Sequence, residues 1–531
     1  MKVVVPMSGM SSRFGTAGYT IPKYLIEVDG KTVIEHIIDL YPKDETDFIF
    51  IVNRKHYDET DIAQFLRPLC NRGSYLNVIE PHKKGPVHSV LECQDMIDDD
   101  EQVIINYCDF SMMWDYKDFE KYVNDTDCDG SVVCYTGFHP HMLGSDNYAF
   151  CKVEEDNPDG TLSNKIVEIR EKQPFTDNKM NEFASTGTYY FKKGSYVKKY
   201  FQQLIDEDDN INGEYYVSLV HNHLTRDGLV NNVYEIPHML QWGTPLDLDM
   251  YRKWSQYNRR VMEGQQEVTI PNCVTLLPMA GRAERFRQEG YMVPKPCIQV
   301  NGHYMMDQAL KCMPKTDQII LGARTDHKNL LPLDTYPDVV WLDEVLPGQA
   351  CTTQRIMNAI PDPDKSILVT ACDNAVLYDA NKFMSLVNDN TNDIIVWSYR
   401  NNYTTYYDPE KYSWLELDGD KVTKVNVKEF KGGDPLDQHA IVGTMFFRNK
   451  RVYLKSLAGL YERNSTTNGE FYIDNLLNDA IDLGYKVKNF EVEHYICWGT
   501  PDDLQTYQYW QRFFDQVEWH PYDYKTDYFT N

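Results

Sequence analysis

No apolar run in this 531-residue chain approaches the roughly 20 residues that span a bilayer, and the start, MKVVVPMSG, lacks the hydrophobic stretch and cleavage site of a secretory signal. The expectation is a cytoplasmic protein with no membrane partner. Basic side chains are outnumbered: 53 Lys and Arg face 80 Asp and Glu, leaving a net charge of −27. That balance argues against general affinity for nucleic acid or anionic lipid, so any phosphate must be held by a few local cations in an acidic surface. The 12 cysteines include no Cys-x-x-Cys pair, and several, Cys134, Cys351 and Cys372 among them, lie in apolar runs. Reduced core thiols fit this usage better than disulfides or a zinc site. With 42% apolar residues the chain can fill real cores, and its length permits two domains of roughly 250 residues each.

What the chain does contain is a repeat. PMSGMSSRFGTAGYTIPK, from Pro6, returns as PMAGRAERFRQEGYMVPK, from Pro278, in register and without a gap. Each copy follows an apolar run, Val3 to Val5 or Val274 to Leu277, that reads as a buried strand feeding a loop. Gly9 and Gly281 let the backbone approach a ligand, and Arg13 with Lys23, or Arg285 with Lys295, supply two cations ten residues apart. Such a loop suits a polyphosphate, because amides donate and the cations neutralise charge. It lacks the terminal Gly-Lys-Ser/Thr of a Walker loop and the three glycines of a dinucleotide fingerprint. Alone, Gly-x-x-x-Arg could be an ordinary strand-to-helix turn; its full recurrence points to a site used twice.

On these residues both copies resemble the sugar-phosphate nucleotidyltransferases, the nucleotide-diphospho-sugar pyrophosphorylases. The family's Pro-Lys-Pro-Leu-like segment appears as Pro22-Lys23-Tyr24-Leu25 and Pro294-Lys295-Pro296-Cys297. The resemblance implies an α/β fold of two tandem, doubly wound, mainly parallel-sheet domains (Rossmann-like, GT-A-like), with the nucleotide across the strand ends. The expected bounds are 1–262 and 268–531, joined through the polar run 259–272. The order of segments agrees: FIFIV, GPVHSVLECQDMI and VIINYCDF in the first copy answer to QIILGA, GQACTTQRIMNAI and SILVTACDN in the second.

Asp109 and Asp373 follow the third apolar run in matched Tyr-Cys-Asp and Ala-Cys-Asp contexts. A carboxylate at a strand mouth can hold Mg2+, which prefers oxygen ligands, and in the family this aspartate is a metal ligand. Asp115 and Asp379, six residues on, read better as turn or helix caps. Many relatives place a second metal-binding aspartate two residues before the glycine of a Gly-Thr-Pro turn, but here Gln241 and Cys497 stand there. Glu214 and Glu470, ranked first, or Asp247 and Asp503 are the candidate replacements. Glu171-Lys172 is similar to the family's pair that touches the acceptor, lysine on phosphate and glutamate on a sugar hydroxyl. The second copy offers Lys428, Glu429 and Lys431 without that dipeptide, and of these Lys431 is taken as the substrate contact. On the base side, Gly348-Gln349 stands where the first copy has Gly85-Pro86, and only Gln349 can hydrogen-bond a pyrimidine edge.

The resemblance implies attack of an acceptor phosphate on the α-phosphorus of a nucleoside triphosphate, with release of pyrophosphate. The two domains would differ in substrate, and the general look is similar to capsule and surface-glycan nucleotidyltransferases. One active domain with a degenerate partner is the alternative. A glycosyltransferase, the second alternative, would want Asp-x-Asp where the chain has YCDF and ACDN. The His139-Pro140-His141 cluster reads as solvated loop. The aromatic tail from Trp510 to Phe529 reads as a strap over the second domain or a partner chain, the only hint of a homo-oligomer.

Overall fold

Strand Lys2–Pro6 is apolar at Val3, Val4 and Val5 because both its edges and both its faces are covered. It pairs in parallel with Asp47–Asn53 on one side and Val103–Asn106 on the other. In this computed structural model, described for residues 1–144, 146–155, 163–332 and 334–530, the chain divides into two units, Met1–Arg252 and Lys253–Asn531. The break falls inside the helix Pro245–Val261 rather than in the polar run 259–272. Residues 253–261 join the second unit because Trp254 stacks on Trp510 and Tyr257 meets Tyr507 edge-on. Beyond that helix, Gln265 exchanges hydrogen bonds with the backbone of Tyr378, so part of the expected linker is fixed to the second unit.

Each unit is built on a nine-stranded mixed sheet between helices. In the first, Tyr75–Ile79, Asp47–Asn53, Lys2–Pro6 and Val103–Asn106 run parallel. Phe183–Phe191 then enters antiparallel and is shared by Val103–Asn106, Gly130–Tyr135 and Ala149–Val153. In the second unit Val339–Leu342, Gln318–Arg324, Cys273–Pro278 and Ser366–Val369 repeat the parallel half, and His439–Phe447 repeats the antiparallel entry. The expected α/β class holds, with this long antiparallel strand in the middle of each sheet.

The third strand of each copy, read from sequence as running to the aspartate, stops three or four residues short, at Asn106 and at Val369. In the first unit the cause is a register shift in the neighbour between Ser185 and Thr188, where Gly187 adopts a φ of +100° and its carbonyl takes the Tyr107 amide at 2.9 Å. Asp109 and Asp373 therefore stand in breaks at the carboxyl edge of the sheets, where an open α/β sheet leaves its crevice.

Two apolar layers flank the first sheet, one around Ile34, Phe48 and Phe119, the other around Val87, Phe201 and Val220. His139 lies in this packing, 1% exposed, and burial lowers its pKa to about 3, so it is a neutral core residue rather than a solvated one. The aromatic tail folds onto its own unit. Phe529 is fully buried, Asp527 accepts from Tyr522 Oη and Gln511 Nε2, and the Phe529 carbonyl takes Gln308 Nε2 at 2.6 Å. Of the two expected placements of the tail, the strap over the second unit is the one seen. Among the described residues no helix is long and apolar enough to cross a membrane.

Candidate active site

The repeated loop leaves each first strand through a left-handed residue, Ser11 (φ 52°) or Ala283 (φ 53°), and starts a short helix, Ser12–Thr16 or Glu284–Gln288. Ser11 Oγ accepts the Lys23 amide at 3.1 Å, which ties the Pro-Lys segment to the loop. A Cβ added at Gly9 or Gly281 would meet no atom within 4 Å, so both glycines face open cleft.

Beneath the loop, Lys23 Nζ lies 2.6 Å from Asp109 Oδ2. Burial opposes the charged lysine, but the Asp109 carboxylate outweighs it and holds Lys23 above its ordinary pKa. The second unit repeats the pair: Lys295 Nζ bonds Asp373 Oδ2 and donates to the Gly499 carbonyl at 2.9 Å. Lys295 is likewise raised, burial being outweighed by Asp373.

A cleft of about 530 Å3 opens here in the first unit, lined by Gly9, Arg13, Lys23, Asp109, Glu171, Lys172 and Glu214. The cleft of the second unit, about 320 Å3, is lined by Gly281, Lys295, Gln349, Asp373 and Glu470. Arg285 is not in its lining, though its charge is felt at Lys428 and Tyr472. Lys431, the expected acceptor contact, is exposed and paired with its neighbour Glu429. The residue that stands where Lys172 does is Lys428. Both follow a strand clamped by a helix asparagine, both are left-handed (φ 59° and 53°), and each ammonium lies over a tyrosine ring, Tyr216 at 4.4 Å and Tyr472 at 5.7 Å.

The carboxylates also sort differently from the expected ranking. Glu214 accepts from Tyr216 Oη, and its charge is felt at Glu171 on the Lys172 side of the cleft. Glu470 has Tyr472 as its neighbour in the same way. Asp247 is the group that feels Asp109: burial first, then the Asp109 charge, raise its pKa to about 6 against the Thr244 hydroxyl. In the second unit Asp503 caps its helix through Thr500 and lies 3.3 Å from the Cys497 thiol, which burial holds well above its usual pKa. Asp115 and Asp379 both cap helices.

Among the described residues no group of three or more His, Cys, Asp or Glu is placed to hold a metal ion unaided. Asp109, in the cleft lining, and Asp247, close enough for its carboxyl to feel that charge, are the carboxylates of the first unit that could contribute to a hard-cation site completed by water and substrate oxygens. Lys428 is among the three candidates that the sequence offers, but without a Glu-Lys dipeptide nothing in the sequence sets it above Lys431. Sequence reasoning ranked Asp247 second because an acid at a helix start already has a reason to be there.

Residues 3–165 match the MobA-like NTP transferase domain family. No curated protein matches the chain. Among solved structures, a nucleoside-diphosphate-sugar pyrophosphorylase from Vibrio cholerae RC9 shares 24% identity over 47% of this chain and 98% of its own, with a TM-score of 0.39. The inositol-1-phosphate CTP transferase from T. maritima shares 18% over 46% and 97%, with a TM-score of 0.36. A UDP-glucose pyrophosphorylase from Acinetobacter baumannii shares 16% over 50% and 94%, with a TM-score of 0.37. The match over residues 3–165 is to the nucleotidyltransferase class to which the glycine-arginine loop and its lysine-aspartate pair also point.

Proposed function

We propose that the chain couples a nucleoside triphosphate to a phosphorylated small molecule, with release of pyrophosphate, once in each unit and with different substrates. The observation that carries this reading is the lysine-aspartate pair beneath the glycine-arginine loop, Lys23 with Asp109 and Lys295 with Asp373, at the same place in two sheets of the same strand order. The acceptor phosphate attacks the α-phosphorus and the pyrophosphate oxygen leaves. The chain's part is to align the two and to offset charge on the leaving group. Arg13 and Lys23 face that charge from the loop, and Lys172, across the cleft beside Glu171, seats the acceptor phosphate. Arg285, Lys295 and Lys428 take these roles in the second unit. Asp109 and Asp247 would hold Mg2+ in the first cleft, and the ion would draw charge from the phosphates when bound. Gln349 at the helix start in place of Pro86 favours a different base in the second unit. The products are read as activated precursors for surface glycan or capsule, made in the cytoplasm.

A second reading, in which the second unit only binds ligand or supports the first, is favoured by its Cys497 and by a family match that ends within the first unit. Substituting Arg13 and Arg285 together with alanine tests the assignment. Loss of one such donor raises the barrier by about 3 kcal/mol, or roughly two orders of magnitude in rate. Unchanged pyrophosphate release in that variant would reject it.

A further inference from the structure

The acceptor sides of the two clefts can be aligned residue by residue, because the same side-chain clamp fixes both. Asn222 donates to the Ile169 carbonyl at 2.9 Å and accepts its amide at 2.8 Å, and Asn478 does the same to Val425 at 2.9 Å each way. Strand pairing gives the third side: Phe150 stands opposite Arg170, and Trp414 opposite Asn426. Hence Lys172 corresponds to Lys428, Glu171 to Val427, Ser218 to Asp474 and Ala149 to Ser413.

Three positions have changed, yet the chemical inventory is the same. In the first unit a carboxylate on the strand, Glu171 Oε2, accepts from a hydroxyl on the helix, Ser218 Oγ, at 2.6 Å. In the second the carboxylate, Asp474, is on the helix, and the hydroxyl, Ser413, is on the neighbouring strand segment. Burial raises the carboxyl of Asp474 while Ser413 and Lys428 oppose the shift, just as burial raises Glu171 while Ser218 and Lys172 oppose it. Ser413 Oγ is itself buried and has no partner at full hydrogen-bond geometry among the described residues. Lys428 stands over the Tyr472 ring, two residues from Glu470 of the second cleft, and the charges of Asp373 and Arg285 reach it as well as that of Asp474.

We propose that Asp474 is the carboxylate with which the second unit reads its acceptor, replacing Glu171, and that moving it from strand to helix gives the two clefts different acceptors. The inference rests on the nucleotidyl-transfer reading above. The second acceptor is a phosphomonoester that meets Lys428 with its phosphate, directs a hydroxyl or ammonium donor at the helix, and lays an apolar edge on Val427. A first-unit acceptor directs its donor at the strand instead. A buried acid left without its donor is costly, so each cleft rejects the other's ligand.

The experiment uses the full chain with Arg13 and Lys23 both changed to alanine, so that only the second unit turns over. Pyrophosphate release is measured with the four nucleoside triphosphates against hexose 1-phosphates and polyol phosphates. Asp474→Ser should raise the acceptor KM by about tenfold while the nucleotide KM stays within about twofold, and Asp474→Asn should lie between. The triple variant Ser413→Ala, Val427→Glu, Asp474→Ser should take on the acceptor preference of the first unit, measured in the chain carrying Arg285→Ala and Lys295→Ala. Thermal midpoints within about 2 °C of the parent keep a folding defect from passing as the effect. An unchanged acceptor KM in Asp474→Ser, or no acceptor-dependent turnover by the second unit while the intact chain remains active, overturns the inference alone. No acceptor-dependent pyrophosphate release by the intact chain overturns the reading beneath it.

Discussion

Asp247 shows how one side chain can depend on another's charge. Its carboxyl, raised to about 6 by burial and by Asp109, is mainly ionised at pH 7 and mainly protonated at pH 5. If Asp109 and Asp247 together hold Mg2+ as proposed, its binding would be favoured above that value and lost below it. The Mg2+ concentration needed for half-maximal pyrophosphate release by the first unit should rise as the pH falls from 7 to 5. In Asp247→Asn it should be higher at pH 7, by about tenfold, and nearly flat with pH. Superimposable profiles for the two proteins would remove Asp247 from the site. Arg13, Lys23 and Asp109 were legible in the sequence because their string recurs. Asp247 and Lys428 were less so, since a helix-start acid and a lone surface lysine are each explained by commoner causes.

At the level of elements, the glycine-led helices Pro86–Leu91 and Gln349–Met357 decide how closely the segments that carry Glu214 and Glu470 can approach the site. Gly85 has a φ of +86°, and a Cβ there would lie 2.7 Å from the backbone N and O of Tyr215; for Gly348, at +106°, the same distances to Phe471 are 2.5 Å. Backbone cannot move aside as a side-chain tip can, so both strain and collision count. Gly85→Ala should cost about 3 kcal/mol of unfolding free energy in denaturant titration. A loss under about 0.5 kcal/mol would mean that the approach is slack. The early strands and these helices could be read from apolar runs and leading glycines. The strand Phe183–Phe191 could not, because its three partners lie far away in sequence and its register shift at Gly187 leaves no periodic signal.

Across the whole molecule, a chain with a net charge of −27 sets a few lysines and arginines at two clefts of matched design. The strand orders coincide, while the base side (Pro86 against Gln349) and the acceptor side (Glu171 with Ser218 against Ser413 with Asp474) do not. Sequence reading recovered the duplication but placed the break in the polar run 259–272. The helix Pro245–Val261 continues to Val261, and Trp254 and Tyr257 give its second half to the later unit. If the two clefts act as proposed, each unit binds its own nucleotide. Calorimetric titration of the full chain with non-hydrolysable α,β-methylene analogues of the four nucleoside triphosphates tests it most directly. Two bound nucleotides per chain are predicted, falling to one when Arg13 and Lys23, or Arg285 and Lys295, are changed to alanine. A stoichiometry of one in the unaltered chain, or of two in either variant, would contradict the account.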